Sequence, residues 1–274
     1  MGNTDRTKLG DQMKMFEHLG GSHQRLMPKL PAIARLDGKA FHTFCKGLEK
    51  PFDSRFQSCM EDTTRYLVKE THALLGYTQS DEISLLWYQP DPKSQIFMDG
   101  KVHKINSILA GMTSVMFSRL VTNAIPEKEN RVPCFDCRTF NVPTLYDVDL
   151  YFLWRERDAT RNSISGLAQK YFSPEQLHKK NSKDKMEMLH TKDINWNNLP
   201  PNSKRGSYFR RVVIERMYSS EELDKLPKLH EARSNPSLMI KRTVVEHIVM
   251  PPISKVENFW GIIVDGAAPK EKIQ

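Results

Sequence analysis

Cysteine is scarce in this 274-residue chain, which carries 4 of them: Cys45, Cys59, Cys134 and Cys137. Only Cys134 and Cys137 form a C-x-x-C pair, and no second Cys or His pair follows at zinc spacing, so no zinc site is expected and the thiols read as idle in a reducing compartment. No apolar run approaches the roughly 20 residues of a membrane span, and no internal repeat is present. The N-terminus lacks the hydrophobic core of a secretion signal. Met1-Gly2 is followed by Arg6 where an acylation signal needs Ser or Thr. There is no P-loop G-x-x-x-x-G-K-[ST], and Gly20-Gly21 does not begin a dinucleotide fingerprint. The chain is expected to be soluble and cytoplasmic, with no membrane partner.

What is present is an ordinary globular composition, 39% hydrophobic and 27% charged. Lys and Arg number 41 against 33 acidic residues, and 41 − 33 gives the net charge of +8. That excess suits a polyanionic partner such as RNA without identifying it.

Periodicity outlines the elements. Leu9, Met13, Phe16 and Leu19 recur at helical spacing, and Pro31 to Leu36 reads as a buried strand stopping at Asp37-Gly38. Phe56, Met60, Thr64, Leu67 and Thr71 give one helix a buried face, ending near His72. Residues 73–88 read as two strands around a turn at Gln79-Ser80-Asp81. A helix after Asp99-Gly100 turns Ile105, Ile108, Leu109, Met112 and Met116 inward, and a strand follows at Phe135–Val142. This is the β-α-β-β-α-β order of a ferredoxin-like sheet. Beyond it lie a helix over Asp147–Gln169, a capping box at Ser173-Pro174-Glu175-Gln176, a loop at Asn195–Ser203, a strand over Tyr208–Met217, a capped helix at Ser219–Leu226 and a strand over Thr243–Met250. The expected class is α+β: a palm-like antiparallel sheet with helices over residues 1–145, and a helix-rich elaboration over 146–274 packed on it as one unit.

Asp37 ends one strand and Asp81 sits at the hairpin turn two elements later. In a ferredoxin-like sheet the central strands are adjacent and antiparallel, so these two acids can meet. Two carboxylates at about 4 Å repel by roughly 4 kcal/mol at an effective dielectric of 20. Such a pair needs a counter-charge or a proton. Magnesium supplies the charge and suits two carboxylates completed by waters and phosphate oxygens. The plainer alternative is a turn-capping Asp37 and an unrelated surface Asp81. His42, Lys50, Lys101 and Lys104 are candidate phosphate contacts, each with an ordinary structural or solvated role as its alternative.

The stretches Arg35-Leu36-Asp37-Gly38-Lys39-Ala40-Phe41-His42-Thr43-Phe44, Lys50-Pro51 and Tyr77-Thr78-Gln79-Ser80-Asp81-Glu82 resemble the tRNA-His guanylyltransferase family. Phe135-Asp136-Cys137-Arg138, Tyr151-Phe152-Leu153-Trp154-Arg155, Asp158-Ala159-Thr160-Arg161-Asn162-Ser163 and Lys204-Arg205-Gly206 continue the resemblance. It implies a catalytic domain like the palm of polymerases that extends RNA in the 3′-to-5′ sense. ATP activates a tRNA 5′-monophosphate, and a nucleotide, typically GTP, is then added. By carry-over, Asp37 and Asp81 are catalytic and bind two magnesium ions, with the Gly38 carbonyl in a metal shell. Residues Lys39, Ala40, Phe41 and His42, with Lys50 and Ser80, hold a triphosphate. Lys101, Lys104, Arg138 and Asn162 contact phosphates at a second nucleotide position or along the RNA. Glu82 is left outside the metal shell. The family also implies a homotetramer.

Two departures matter. Lys39 and Ala40 stand where many relatives carry Arg and Asn. Thr160-Arg161-Asn162-Ser163-Ile164-Ser165-Gly166 replaces a His-Ile-Asn-Asn-Leu-Tyr-Asn stretch of eukaryotic members, sharing only Asn162. The chain therefore resembles the guanylyltransferase-like branch, which favours template-dependent repair of 5′-truncated tRNAs. Competing readings are a palm-type nucleotide cyclase or dinucleotide synthase, and a non-catalytic RNA-binding protein.

Overall fold

Alternation along a strand sends successive side chains to opposite faces, so a sheet buried on both sides needs apolar residues at nearly every position. Ala32-Ile33-Ala34-Arg35-Leu36 meets that requirement. In the computed structural model, which describes residues 4–91, 94–235 and 237–272, it forms the centre of a sheet. The strands are β1 (Ala32–Gly38), β2 (Leu75–Gln79), β3 (Glu82–Trp87), β4 (Phe135–Asn141), β5 (Ser207–Met217) and β6 (Met239–Ile248). They form a six-stranded sheet in the order β4-β1-β3-β2-β5-β6, antiparallel throughout.

The α-helices are α1 (Thr4–Glu17), α2 (Phe41–Phe44), α3 (Ser54–Thr71), α4 (Val102–Ala124), α5 (Leu145–Tyr171), α6 (Pro174–Leu177), α7 (Ser182–His190), α8 (Pro201–Arg205), α9 (Ser220–Lys225) and α10 (Phe259–Val264). The ferredoxin-like order is realised by β1, α3, β2, β3, α4 and β4. The C-terminal half is helical until β5 joins β2, so one sheet crosses residue 145. Ser173 and Gln176 form the expected capping box at α6. No helix among the described residues is long and apolar enough to cross a membrane.

Each face has its own core. Ala32, Ala34, Leu36, Ile83, Leu85 and Trp87 pack beneath α3 and α4 with Phe41, Phe44, Phe56, Phe117 and Phe135. Ile33, Leu75, Tyr77 and Leu86 point the other way, against Val148, Tyr151 and Phe152 of α5 and against α10.

Three expectations are corrected. Ile108 is exposed, because the buried stripe of α4 runs through Val102, Ile105, Leu109, Thr113, Phe117 and Val121. The loop at 195–203 contains the start of α8 and a 3-10 turn, Trp196–Asn198, since Pro201 sits comfortably in a first helical turn. The helix over Leu9–Leu19 exists, continuing into a π-turn at His18–Ser22, yet Leu9, Met13, Phe16 and Leu19 are exposed rather than packed.

Candidate active site

Register fixes the acidic corner. Asp37 lies opposite Glu82 on β3 and Asp136 on β4, and Gln79 lies opposite Glu82. These side chains share the α5 face by parity with Ile33. Two residues further in, Arg35 pairs with Arg138 and Ser84. A row of acids is thus backed by a pair of arginines.

Asp81 joins this corner through the β2–β3 hairpin, whose turn is Ser80-Asp81. The Gly38 N–H donates to the Asp81 carbonyl at 3.1 Å, tying the end of β1 to the turn. Burial pushes the Asp81 carboxyl up; the Ser80 hydroxyl, donating at 3.0 Å, pulls it down, and the negative charge of Asp37 adds to the rise. Gly38 admits no side chain, because a Cβ there would overlap the Phe41 ring. Beyond it Ala40 adopts a left-handed backbone at φ 57°, turning the chain into α2. The N–H groups of Ala40, Phe41 and His42 have no hydrogen-bond partner among the described residues, leaving three donors open at this corner.

Glu82 is buried, and burial pushes its carboxyl up to about 7 although Arg155 and Arg35 both pull it down. Arg155 Nε stands 2.8 Å from Glu82 Oε1, yet neither atom is aligned for a hydrogen bond. The contact is one of charge. Arg155 Nη2 donates to Asp158 Oδ2 at 2.7 Å, and the other oxygen of that carboxylate, Oδ1, receives Arg161.

A cavity of about 340 Å³ opens beside the hairpin turn, with Lys50, Ser80 and Asn162 on its wall together with Asp53, Gln57 and Ser203. Its walls come from the β2–β3 turn, the start of α3, α5 and α8. Asp53 caps α3, accepting from the Arg55 and Phe56 N–H groups. The Arg55 guanidinium, donating at 2.8 Å, holds the Asp53 carboxyl down at about 2. Ser203 and Gln57 are hydrogen-bonded at 3.0 Å, joining α8 to α3.

The structure therefore brings together Asp37, Gly38, Lys39, Ala40, Phe41, His42, Lys50, Ser80, Asp81 and Asn162. Arg138 lies nearby on β4, exposed and paired with Asp136 at 3.1 Å. Lys101 and Lys104 stand apart. They occupy the start of α4, where Asn106 accepts from Thr139 at 2.6 Å near the far end of β4. Asp53, Gln57 and Ser203 are not singled out by the sequence, and Arg155 enters it only within the Tyr151–Arg155 stretch, without a role of its own. Asp53-Ser54 has the form of a helix cap, and a cap carries no sign of a cavity; Gln57 and Ser203 carry no local signal.

Among the described residues no group of three or more His, Cys, Asp or Glu side chains is suited to a metal, so a closed transition-metal cage has no donor set. Two carboxylates and the Gly38 carbonyl suit magnesium, which takes few protein ligands and completes its octahedron with water and phosphate. A cation here would also relieve the charge repulsion between Asp37 and Asp81.

The family model described as tRNAHis guanylyltransferase matches residues 10–143. A solved bacterial tRNA(His) guanylyltransferase-like protein in complex with ATP superimposes with a TM-score of 0.73 at 34% identity, over 90% of this chain and 94% of that one. A bacterial counterpart in complex with GTP gives 0.67 at 32% identity, with the same coverage. The tRNA(His) guanylyltransferase of Debaryomyces hansenii is 29% identical over 267 residues, 91% of this chain and 95% of the yeast protein. By sequence and by fold alike, the chain belongs to the tRNAHis guanylyltransferase family of nucleotidyltransferases.

Proposed function

We propose that the chain adds nucleotides to the 5′ end of a tRNA in the 3′-to-5′ sense, with magnesium. A 5′-monophosphate oxygen attacks the α-phosphorus of ATP, pyrophosphate leaves, and a 5′-adenylylated RNA forms. The 3′-hydroxyl of an incoming nucleotide, GTP by preference, then attacks the activated 5′-phosphorus and AMP leaves. The biological outcome is template-dependent repair of truncated tRNAs, guanylylation of tRNAHis, or both.

The convergence of Asp37 and Asp81 beside the cavity of Lys50, Ser80 and Asn162 carries this reading. Phosphoryl transfer asks the protein chiefly for positioning and charge neutralisation. Asp37, Asp81 and the Gly38 carbonyl would hold two magnesium ions. Bound there, magnesium supplies positive charge for the transferring phosphate and activates the attacking oxygen. The open N–H groups of Ala40, Phe41 and His42, with Lys39, Lys50 and Ser80, bind the triphosphate, while Asn162 and Arg138 bind phosphates beside it. Lys101 and Lys104, away from the cavity, serve the RNA. Relatives solved with ATP and with GTP support the two-nucleotide scheme.

The test is a tRNA lacking its first nucleotide, incubated with ATP, GTP and magnesium. Lengthening of the 5′ end that disappears in Asp37→Ala is the expected result. No lengthening, or lengthening insensitive to Asp37→Ala, overturns the reading. The proposal includes a homotetramer, for which the exposed Leu9, Met13, Phe16 and Leu19 face of α1 is an available surface; a solution mass equal to one chain would remove that part.

A further inference from the structure

Helix α5 leaves an apolar stripe uncovered. Tyr146, Leu150 and Trp154 recur every fourth residue and are 68%, 42% and 52% exposed, so they share one face. Scattered exposed apolar side chains need no explanation. Trp154 differs in what surrounds it.

The Arg155 guanidinium lies over its ring, 4.1 Å from the centroid. Arg35 lies 5.5 Å away, and the Tyr151 ring meets it edge-on at 5.9 Å. The indole is therefore braced in one orientation while half of it stays open to solvent. Its place is equally specific. Arg35 is two residues before Asp37 on the same face, and Arg155 touches Glu82, so the ring stands at the inner side of the acidic corner. The Arg35 side chain makes no hydrogen bond or ion pair among the described residues, and its Nε is buried. Its charge acts on the Glu82 carboxyl on one side and faces the exposed aromatic on the other.

We propose that Trp154 is a stacking platform for the terminal nucleobase of the RNA whose 5′ end is presented to Asp37 and Asp81. The inference rests on the RNA reading given under Proposed function. A rigid indole offers a base a sequence-tolerant contact, and Arg35, which makes no ion pair among the described residues, adds positive charge beside it. A protein partner seated on the same helix would use the whole Tyr146–Leu150–Trp154 stripe, of which only Trp154 touches Arg35 and Arg155 at the acidic corner. That placement beside Asp37 and Glu82 favours the RNA end over a partner spread along the helix.

The test uses the full chain with Trp154→Leu and Trp154→Phe, each checked for an unchanged melting temperature. Binding of a fluorescently labelled, 5′-monophosphorylated RNA stem is measured without ATP or GTP. Loss of one base stack is expected to weaken RNA binding by roughly tenfold in Trp154→Leu, and Trp154→Phe should stay within about threefold of wild type. Binding of ATP alone should be the same in all three proteins. RNA should quench the tryptophan emission of wild type and lose most of that effect on Trp154→Phe. Unchanged RNA affinity in Trp154→Leu overturns the proposal, as do equal losses in both variants. A change of oligomeric state in Trp154→Leu with RNA affinity intact assigns the stripe to a second copy and also overturns it. RNA binding without 5′-extension counts against the proposed reaction alone. Absence of RNA binding by wild type overturns both.

Discussion

The two faces of the sheet are made by the same strands and do opposite work. Beneath α3 and α4, Ala32, Ala34, Leu36, Ile83 and Leu85 meet a cluster of phenylalanines around Phe117, whose ring packs on Phe41, Phe44, Phe56 and Phe135. Beneath α5, the same strands carry Asp37, Arg35, Glu82, Asp136 and Arg138. Period-two alternation makes this division possible: one face can be rigid and dry because the charge has been sent to the other. The Phe41 ring links them, since it fills the space over Gly38 and so fixes the strand end from which Asp37 projects.

If that division holds, substitutions on the two faces should separate activity from stability. Asp37→Ala is expected to lower 5′-addition turnover by about 10³-fold, the scale of losing several kcal/mol of charge stabilisation, with little change in the urea midpoint. A midpoint that falls with activity would show that the acids also hold the fold. Phe117→Ala should do the reverse, costing about 3–5 kcal/mol in urea unfolding while folded molecules keep their turnover.

The faces should also answer pH differently. Burial pushes Glu156, on α5, up to about 7, against the pull of the Ile253 N–H and of Arg205. A carboxyl with a raised folded-state pKa binds its proton more tightly in the native state, so it costs stability as pH rises from its ordinary 4.5 through about 7. Asp53, at about 2, has the opposite sign: its contribution is present above 3.8 and is lost as pH falls through about 2. Glu156→Gln should therefore flatten the decline in melting temperature across that upper range and leave the acid limb alone. An unaltered decline would place its origin elsewhere, with Glu82 the next group to test.

Much of this architecture was readable from the chain because the signals were local. Runs such as Ile83-Ser84-Leu85-Leu86-Trp87, the helical spacing of Phe56, Met60, Thr64 and Leu67 and the capping box at Ser173 each declare an element. Asp37 and Asp81 needed one further step, the topological fact that β1 and β3 are neighbours. The cavity was not legible, since Asp53, Gln57, Asn162 and Ser203 come from distant segments whose meeting depends on how α5 and α8 settle. The pairing of Arg155 is hidden for the same reason: its partner Glu82 lies 73 positions earlier. Ile108 was misplaced because α4 buries a narrower stripe than its many apolar residues suggest.

One smaller effect remains, and it concerns the backbone rather than any charge. Ala40 and Ser80 both lie in the left-handed region, at φ 57° and 49°, one just after Asp37 and the other just before Asp81. For a residue with a Cβ that conformation costs about 1 kcal/mol, and asparagine tolerates it better. Ala40→Asn is thus expected to raise stability by roughly 0.5 kcal/mol in urea unfolding, with turnover preserved; a loss of stability would mean the local backbone is not strained. The chain has alanine here, where asparagine would sit more easily. Its acidic corner is consequently spring-loaded at two adjoining bends, and a bound triphosphate that gathers the N–H groups of residues 40–42 would be the latch that holds the first of them closed.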